Sequence, residues 1–190
     1  MPLDLKIDNI RVKTNALNQV SFDPDDFLEG QNTYLRTMTK IFTTPEVCRV
    51  IVKLGKKYPM MYLPMNNLES IISEWINNWF IGVFRVLLIC GEGYIYYDLQ
   101  GNRTNLKTLD KACEYVRNGL VDIIPSTSAG FRALDLPGLE TTFLAQGKVA
   151  GVVLQSVGRT ARGAHMNLIS LEPHPKKKIP VYSKGMEGRL

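Results

Sequence analysis

At Ile81 the spacing of apolar residues changes period, and this limits the folds open to the chain more than any other feature. Before it the pattern is helical. Thr44 is placed to cap a helix with Pro45 at its first position and Glu46 in its first turn, and Val47, Val50, Ile51 and Leu54 form the buried stripe, ended by Gly55, Lys56 and Lys57. Upstream, Asp23, Pro24, Asp25 and Asp26 signal a helix start, followed by Phe27, Leu28, Tyr34, Leu35, Met38, Ile41 and Phe42 at helical spacing. Residues 1–21 have no sustained period and read as an extended or loosely helical lead-in, and 58–64 as a proline-punctuated connector. Asn66 then caps a further helix, with Glu69 in the reciprocal position and Leu68, Ile71, Ile72, Trp75, Ile76 and Trp79 on one face.

Beyond Ile81 the run 83–90 is β-rich, Gly91, Glu92 and Gly93 supply a turn, and Tyr94, Tyr96 and Tyr97 mark a second strand, which together predict a β-hairpin. A helix over 105–117 and strands at 120–124, 141–145, 149–157 and 166–171 complete the reading. The expected fold class is therefore α+β: an N-terminal helical cluster followed by a small β-sheet unit with one helix and an extended basic C-terminal tail. Residues 1–172 form one mixed domain, and 173–190 a Pro/Lys tail, the start of an import segment.

The formal charge of +5 is unevenly placed. Residues 1–145 hold 15 Lys/Arg against 16 Asp/Glu, whereas 146–190 hold 8 against 2, so the basic character is C-terminal and suits a polyanionic partner. No stretch approaches the roughly 18 to 20 apolar residues that span a bilayer, and charges at Asp4, Lys6, Asp8, Arg11 and Lys13 replace the apolar core of a secretory signal. Cys48, Cys90 and Cys113 make no CxxC pair, and His165 and His174 lie in polar surroundings. Neither a disulfide framework nor a metal site follows, no cofactor is expected, and an intracellular interaction module with no catalytic residues is the reading.

Two alternatives have residues behind them. Arg85, the Ser126-Thr127-Ser128 run and Glu172 occur in the order of a mono-ADP-ribosyltransferase site, although Ser126 to Ser128 lie in a Pro/Gly-flanked stretch. A stand-alone RNA-binding protein could stack bases on Tyr94, Tyr96 and Tyr97, or on Trp75 and Trp79, residues that as readily belong to a core.

In order and spacing, the segments 33–37, 50–54, 84–88, 94–97, 101–111, 143–148 and 166–171 resemble the C-terminal host-range and nuclear-import region of the orthomyxovirus polymerase basic protein two, the cap-binding subunit of the viral RNA polymerase, in a thogotovirus-like branch. That resemblance implies a noncatalytic domain supporting viral transcription, replication and cap snatching in the host nucleus and in the virion. Its implied partners are the other polymerase subunits, viral RNA, an acidic nuclear phosphoprotein of the host and a nuclear-import receptor, with no membrane. It places the host-range position at Asn66 beside Pro64 and import at Lys176, Lys177 and Lys178, while the scattered basic residues Lys56, Lys57, Arg85, Arg103, Lys107, Arg159 and Arg162 are the candidate RNA contacts.

Overall fold

The sheet is built from the whole length of the chain and not from its second half. The computed structural model describes residues 6–17, 31–65, 68–127, 139–144 and 165–174. In chain order these form β1 (Lys6–Thr14), a short 3-10 turn, α1 (Gln31–Thr43), α2 (Pro45–Lys57), β2 (Met61–Pro64) and α3 (Leu68–Trp75), which runs on into a π-helical turn (Ile76–Phe80). β3 (Val86–Cys90), β4 (Gly93–Tyr97), β5 (Arg103–Asn105), α4 (Leu109–Arg117), β6 (Ile123–Ser126), β7 (Thr141–Leu144) and β8 (His165–Pro173) follow.

The eight strands lie in the order β1-β8-β7-β2-β6-β3-β4-β5. Pairing is parallel from β1 through β3, and β4 alone runs against the other seven, antiparallel to both β3 and β5. The mixed α/β composition thus holds, but the helix-first, small-sheet description is corrected by β1 and β2. The lead-in is a strand because nine residues of β1 lie parallel to β8, from Lys6 opposite His165 to Thr14 opposite Pro173. The connector is a strand because Met61, Tyr62 and Leu63 are apolar on both faces, as a strand covered on both sides must be, and Pro64 costs little at its last position.

Alternation along the strands divides the core in two. Met61, Leu63, Val86, Leu88 and Ile123 point to one face, beneath α1, α2, α3 and the π-helical turn. Tyr62, Leu87, Ile89, Tyr96 and Ile124 point to the other, beneath α4. A side-chain period of two requires this of strands buried on both sides.

Local chemistry explains the elements that were legible. The Thr44 hydroxyl accepts from the Val47 amide at 3.4 Å, and Pro45 opens α2. Gly55 lies inside α2 and not at its end: a Cβ there would come within 2.5 Å of Phe84 Cζ, so the glycine sets how closely helix and sheet approach. Trp75, expected in the core, is fully buried and donates its indole N–H to the Phe42 carbonyl at 2.7 Å. The hairpin stands as β3 and β4, paired from Val86 with Tyr97 to Cys90 with Gly93. The strand expected at 149–157 lies outside the described residues.

Candidate nucleic-acid interface

The chain leaves β2 toward β3 and leaves β6 in the opposite direction, toward β7, although β2 and β6 are neighbours. With right-handed crossovers such a reversal sends the two outgoing connections to opposite faces and opens a crevice at the carboxyl ends of the strands. Backbone bonds lock that end: the Met65 amide donates to the Ser126 carbonyl and the Thr127 amide to the Ile89 carbonyl, both at 2.9 Å. A cavity of about 190 Å³ opens there, lined by Leu68 and Glu69 of the first turn of α3, Cys90, Glu92, Arg103 and Thr127.

Thr127 is the polar group at the inner wall of this cavity. It is 8% exposed, and its hydroxyl has no hydrogen-bond partner among the described residues. A buried hydroxyl without a partner costs about 1 to 3 kcal/mol, so an acceptor brought to it would be favoured. The neighbouring Ser126 hydroxyl donates to the Thr127 carbonyl at 3.1 Å. Burial pushes the Tyr62 phenol well above its usual range, against the opposing effect of its hydrogen bond with Ser126. At the outer rim Arg103 pairs with Glu92 at 2.7 Å, with both side chains more than half exposed. The Arg103 cation is therefore only loosely committed.

The expected RNA contacts do not converge on this crevice as a set. Arg103 lines it; Lys107 follows on the exposed link between β5 and α4, with φ at +68° and its amide bonded to the Asn105 side chain at 2.9 Å. Lys56 and Lys57 end α2 at the opposite, amino end of the sheet, where Lys57 sits 5.4 Å above the Tyr58 ring. Arg85 lies at that amino end too, bound twice by its guanidinium to Asp122 at 2.9 Å, while the Arg85 amide donates to the same carboxylate at 2.7 Å. Burial pushes the Asp122 carboxyl up, but its bonds to Arg85 prevail and hold it below its ordinary range. Pro64 is buried at the end of β2. Asn66, Arg159, Arg162, Lys176, Lys177 and Lys178 lie outside the described residues.

The ADP-ribosyltransferase arrangement is not assembled. Arg85 and Ser126 are at opposite ends of the sheet, and Glu172 is on β8, three strand positions from β6, with its carboxylate 3.5 Å from Arg11. Strands lie about 4.8 Å apart, which separates β8 from β6 by about 14 Å. Among the described residues no cluster of His, Cys, Asp or Glu could hold a metal, and no helix is long and apolar enough to cross a membrane. Thr127 was visible in the sequence within a Ser/Thr run. The signal that identifies its place is the short apolar stretch before it, Ile123, Ile124 and Pro125, which fits a buried parallel strand with a functional carboxyl end.

No protein-family model and no curated protein sequence matches the chain. Solved structures do match in fold. The C-terminal domain of the DEAD-box protein Dbp5 superposes with a TM-score of 0.54 at 13% identity over 98% of this chain and 87% of that one. The yeast DEAD-box splicing factor Prp28 gives 0.51 at 15% identity, over 88% of this chain but only 29% of that chain. A chain in the structure of the E. coli DEAD-box protein SrmB bound to regulator of ribonuclease activity A gives 0.50 at 15% identity, over 91% and 79%. These likenesses are of fold, and they overturn the viral-polymerase resemblance: the architecture is similar to that of solved DEAD-box domains and is not a helical cluster on a small β unit. The host-range role, cap snatching and viral transcription and replication fall with it. So does the exclusion of an enzyme, which rested on finding no catalytic constellation in a chain whose fold neighbours are helicase domains.

Proposed function

We propose that the chain is the RNA-contacting lobe of an ATP-driven, helicase-type enzyme, with a single RNA strand lying across the carboxyl ends of β6 and β3. The observation that carries this reading is Thr127, which lines a cavity at the topological switch point of the sheet and whose buried hydroxyl has no partner among the described residues. A phosphate oxygen accepts from that hydroxyl. The first turn of α3 adds the favourable end of a helix dipole, and Arg103 supplies a cation after parting from Glu92. Such contacts position the backbone without reading sequence, so binding should be salt-dependent and nearly indifferent to base identity. Arg159 and Arg162, in the connection between β7 and β8, are read as further phosphate contacts.

The chain spans less than a third of Prp28, so ATP hydrolysis and strand separation are assigned to a larger assembly in which this lobe faces another. The test is titration of the full chain with single-stranded RNA, single-stranded DNA and duplex RNA at increasing salt, followed by photocrosslinking. Affinity that falls with salt, with crosslinks at Thr127 or Arg103, supports the reading. Absence of RNA binding at about 50 mM salt, where several phosphate contacts would be strong, overturns it.

A further inference from the structure

A second groove, unrelated to the crevice, runs along the outer side of α2. It has a volume of about 390 Å³ and is lined by Arg49, Val52, Lys53, Lys56 and Trp79. Val47, Ile51 and Leu54 turn inward from α2, so the three cations stand on the exposed side of the helix. Trp79 comes from the π-helical turn, a geometry that recurs at functional sites, and forms the half-buried flat wall. Its indole N–H has no hydrogen-bond partner among the described residues.

We propose that this groove is a second nucleic-acid site, which takes a base against Trp79 while the flanking phosphates meet Arg49, Lys53 and Lys56. Arg49, Lys53 and Lys56 follow one another at intervals of four and three residues, so they share one helix face and span about 10 Å at a rise of about 1.5 Å per residue. A stacked strand carries a phosphate about every 3.4 Å, so about three phosphates occupy that length. None of the three cations has a carboxylate partner among the described residues. The groove is open and offers one aromatic face, which suits a base that needs a single flat surface; an acidic peptide would want a closed pocket for an apolar anchor. α2 leads into the amino end of β2, so this site lies at the far end of the sheet from Thr127. It does not depend on the crevice being occupied.

The experiment uses the full chain and a short fluorescent oligouridylate, with affinity measured across a salt series. Replacing Arg49, Lys53 and Lys56 together by Gln alters only exposed side chains. It should lower the slope of log affinity against log salt by about 2, at about 0.7 per phosphate lost, and weaken binding at least about tenfold at low salt. Trp79→Leu should weaken binding about tenfold through lost stacking while Trp79→Phe retains most of it, and a 5-iodouracil probe should crosslink to Trp79 in the wild type. An unchanged slope and affinity in the triple variant overturn the proposal. So does a triple variant that keeps its RNA affinity but loses binding to polyglutamate, which would mark a surface for acidic protein. Thr127→Val separates the two sites: loss there with no effect of the triple variant removes this groove and leaves the crevice, and the converse removes the crevice and leaves this groove.

Discussion

Asp122 and Thr127 flank the four residues of β6, and the two ends have opposite characters. At the amino end Asp122 accepts from the Arg85 amide and twice from its guanidinium, and its carbonyl accepts from the Met60 amide at 2.9 Å. The carboxylate ties β6 to β3 with a partner for each oxygen, and the backbone carbonyl ties the same residue to the start of β2. At the carboxyl end Thr127 is more deeply buried, yet its hydroxyl has no partner among the described residues. A chain that can satisfy one end of a strand so fully has left the other open, and the fold puts that open end at a topological switch point. The amino end holds the sheet together; the carboxyl end is free to bind.

If the division is correct, substitutions at the two ends should separate stability from binding, and the shared core sets the scale. Trp75→Ala removes the largest fully buried side chain and its bond to Phe42, and should cost about 3 to 5 kcal/mol in denaturant unfolding. A loss below about 1 kcal/mol would mean the helical layer is not packed on the sheet as described.

Asp122→Ala comes next. Each side chain of the Asp122 and Arg85 pair is about a third exposed, at 31% and 32%, so the loss should be about 2 kcal/mol and not the larger figure of a dry ion pair. It should leave RNA affinity within about twofold, because a surface or structural change of this kind alters folding and not the crevice. The folded carboxyl titrates below its ordinary value of 3.8, so its stabilisation is present above that value and is lost as pH falls through the folded pKa. Thermal melts of the wild type and the Asp122→Ala variant should therefore differ by a constant amount at neutral pH and converge below about pH 3.8. Convergence already near neutrality would show that another group carries the effect.

Cys48 gives a smaller contrast within the core. Burial raises its thiol to about 11, and it lies 3.4 Å from the Phe42 carbonyl, so in the folded chain it should react with a thiol reagent far more slowly than in denaturant. Comparable rates in both conditions would place local opening of α1 and α2 on the reagent's timescale.

What the sequence disclosed followed from how much local chemistry each element carries. Thr44, Pro45 and Glu46 state a helix start in three residues, and the turn between Cys90 and Tyr94 states a hairpin, so both were legible without the fold. β2 was not, because its four buried residues, Met61–Pro64, carry no period, and only their neighbours β6 and β7 make them a strand. β1 likewise depends on β8, more than 150 residues away in sequence, and its Asp8, Lys6 and Lys13 hide the alternation. Thr127 could be noticed as a residue, but the missing partner of its hydroxyl is a property of packing, which no spacing in the chain records.

The smallest expected change in stability belongs to Thr127→Val, and it bears most directly on the comparison. Valine keeps the shape of threonine and removes only the hydroxyl. Since that hydroxyl has no partner among the described residues, folding should lose nothing and gain at most about 1 kcal/mol. If the hydroxyl donates to phosphate, the same substitution should weaken single-stranded RNA binding about tenfold, the range of one hydrogen bond to a charged acceptor. Thr127→Ser keeps the donor and should restore most of the affinity while costing some packing. The measurement pairs thermal melting with RNA titration at fixed salt for the three proteins. A valine variant that melts lower than wild type by more than about 1 kcal/mol would show that Thr127 is bonded within the fold. Unchanged RNA affinity in a properly folded valine variant would remove the carboxyl-end assignment, and β6 would then be a structural strand at both ends.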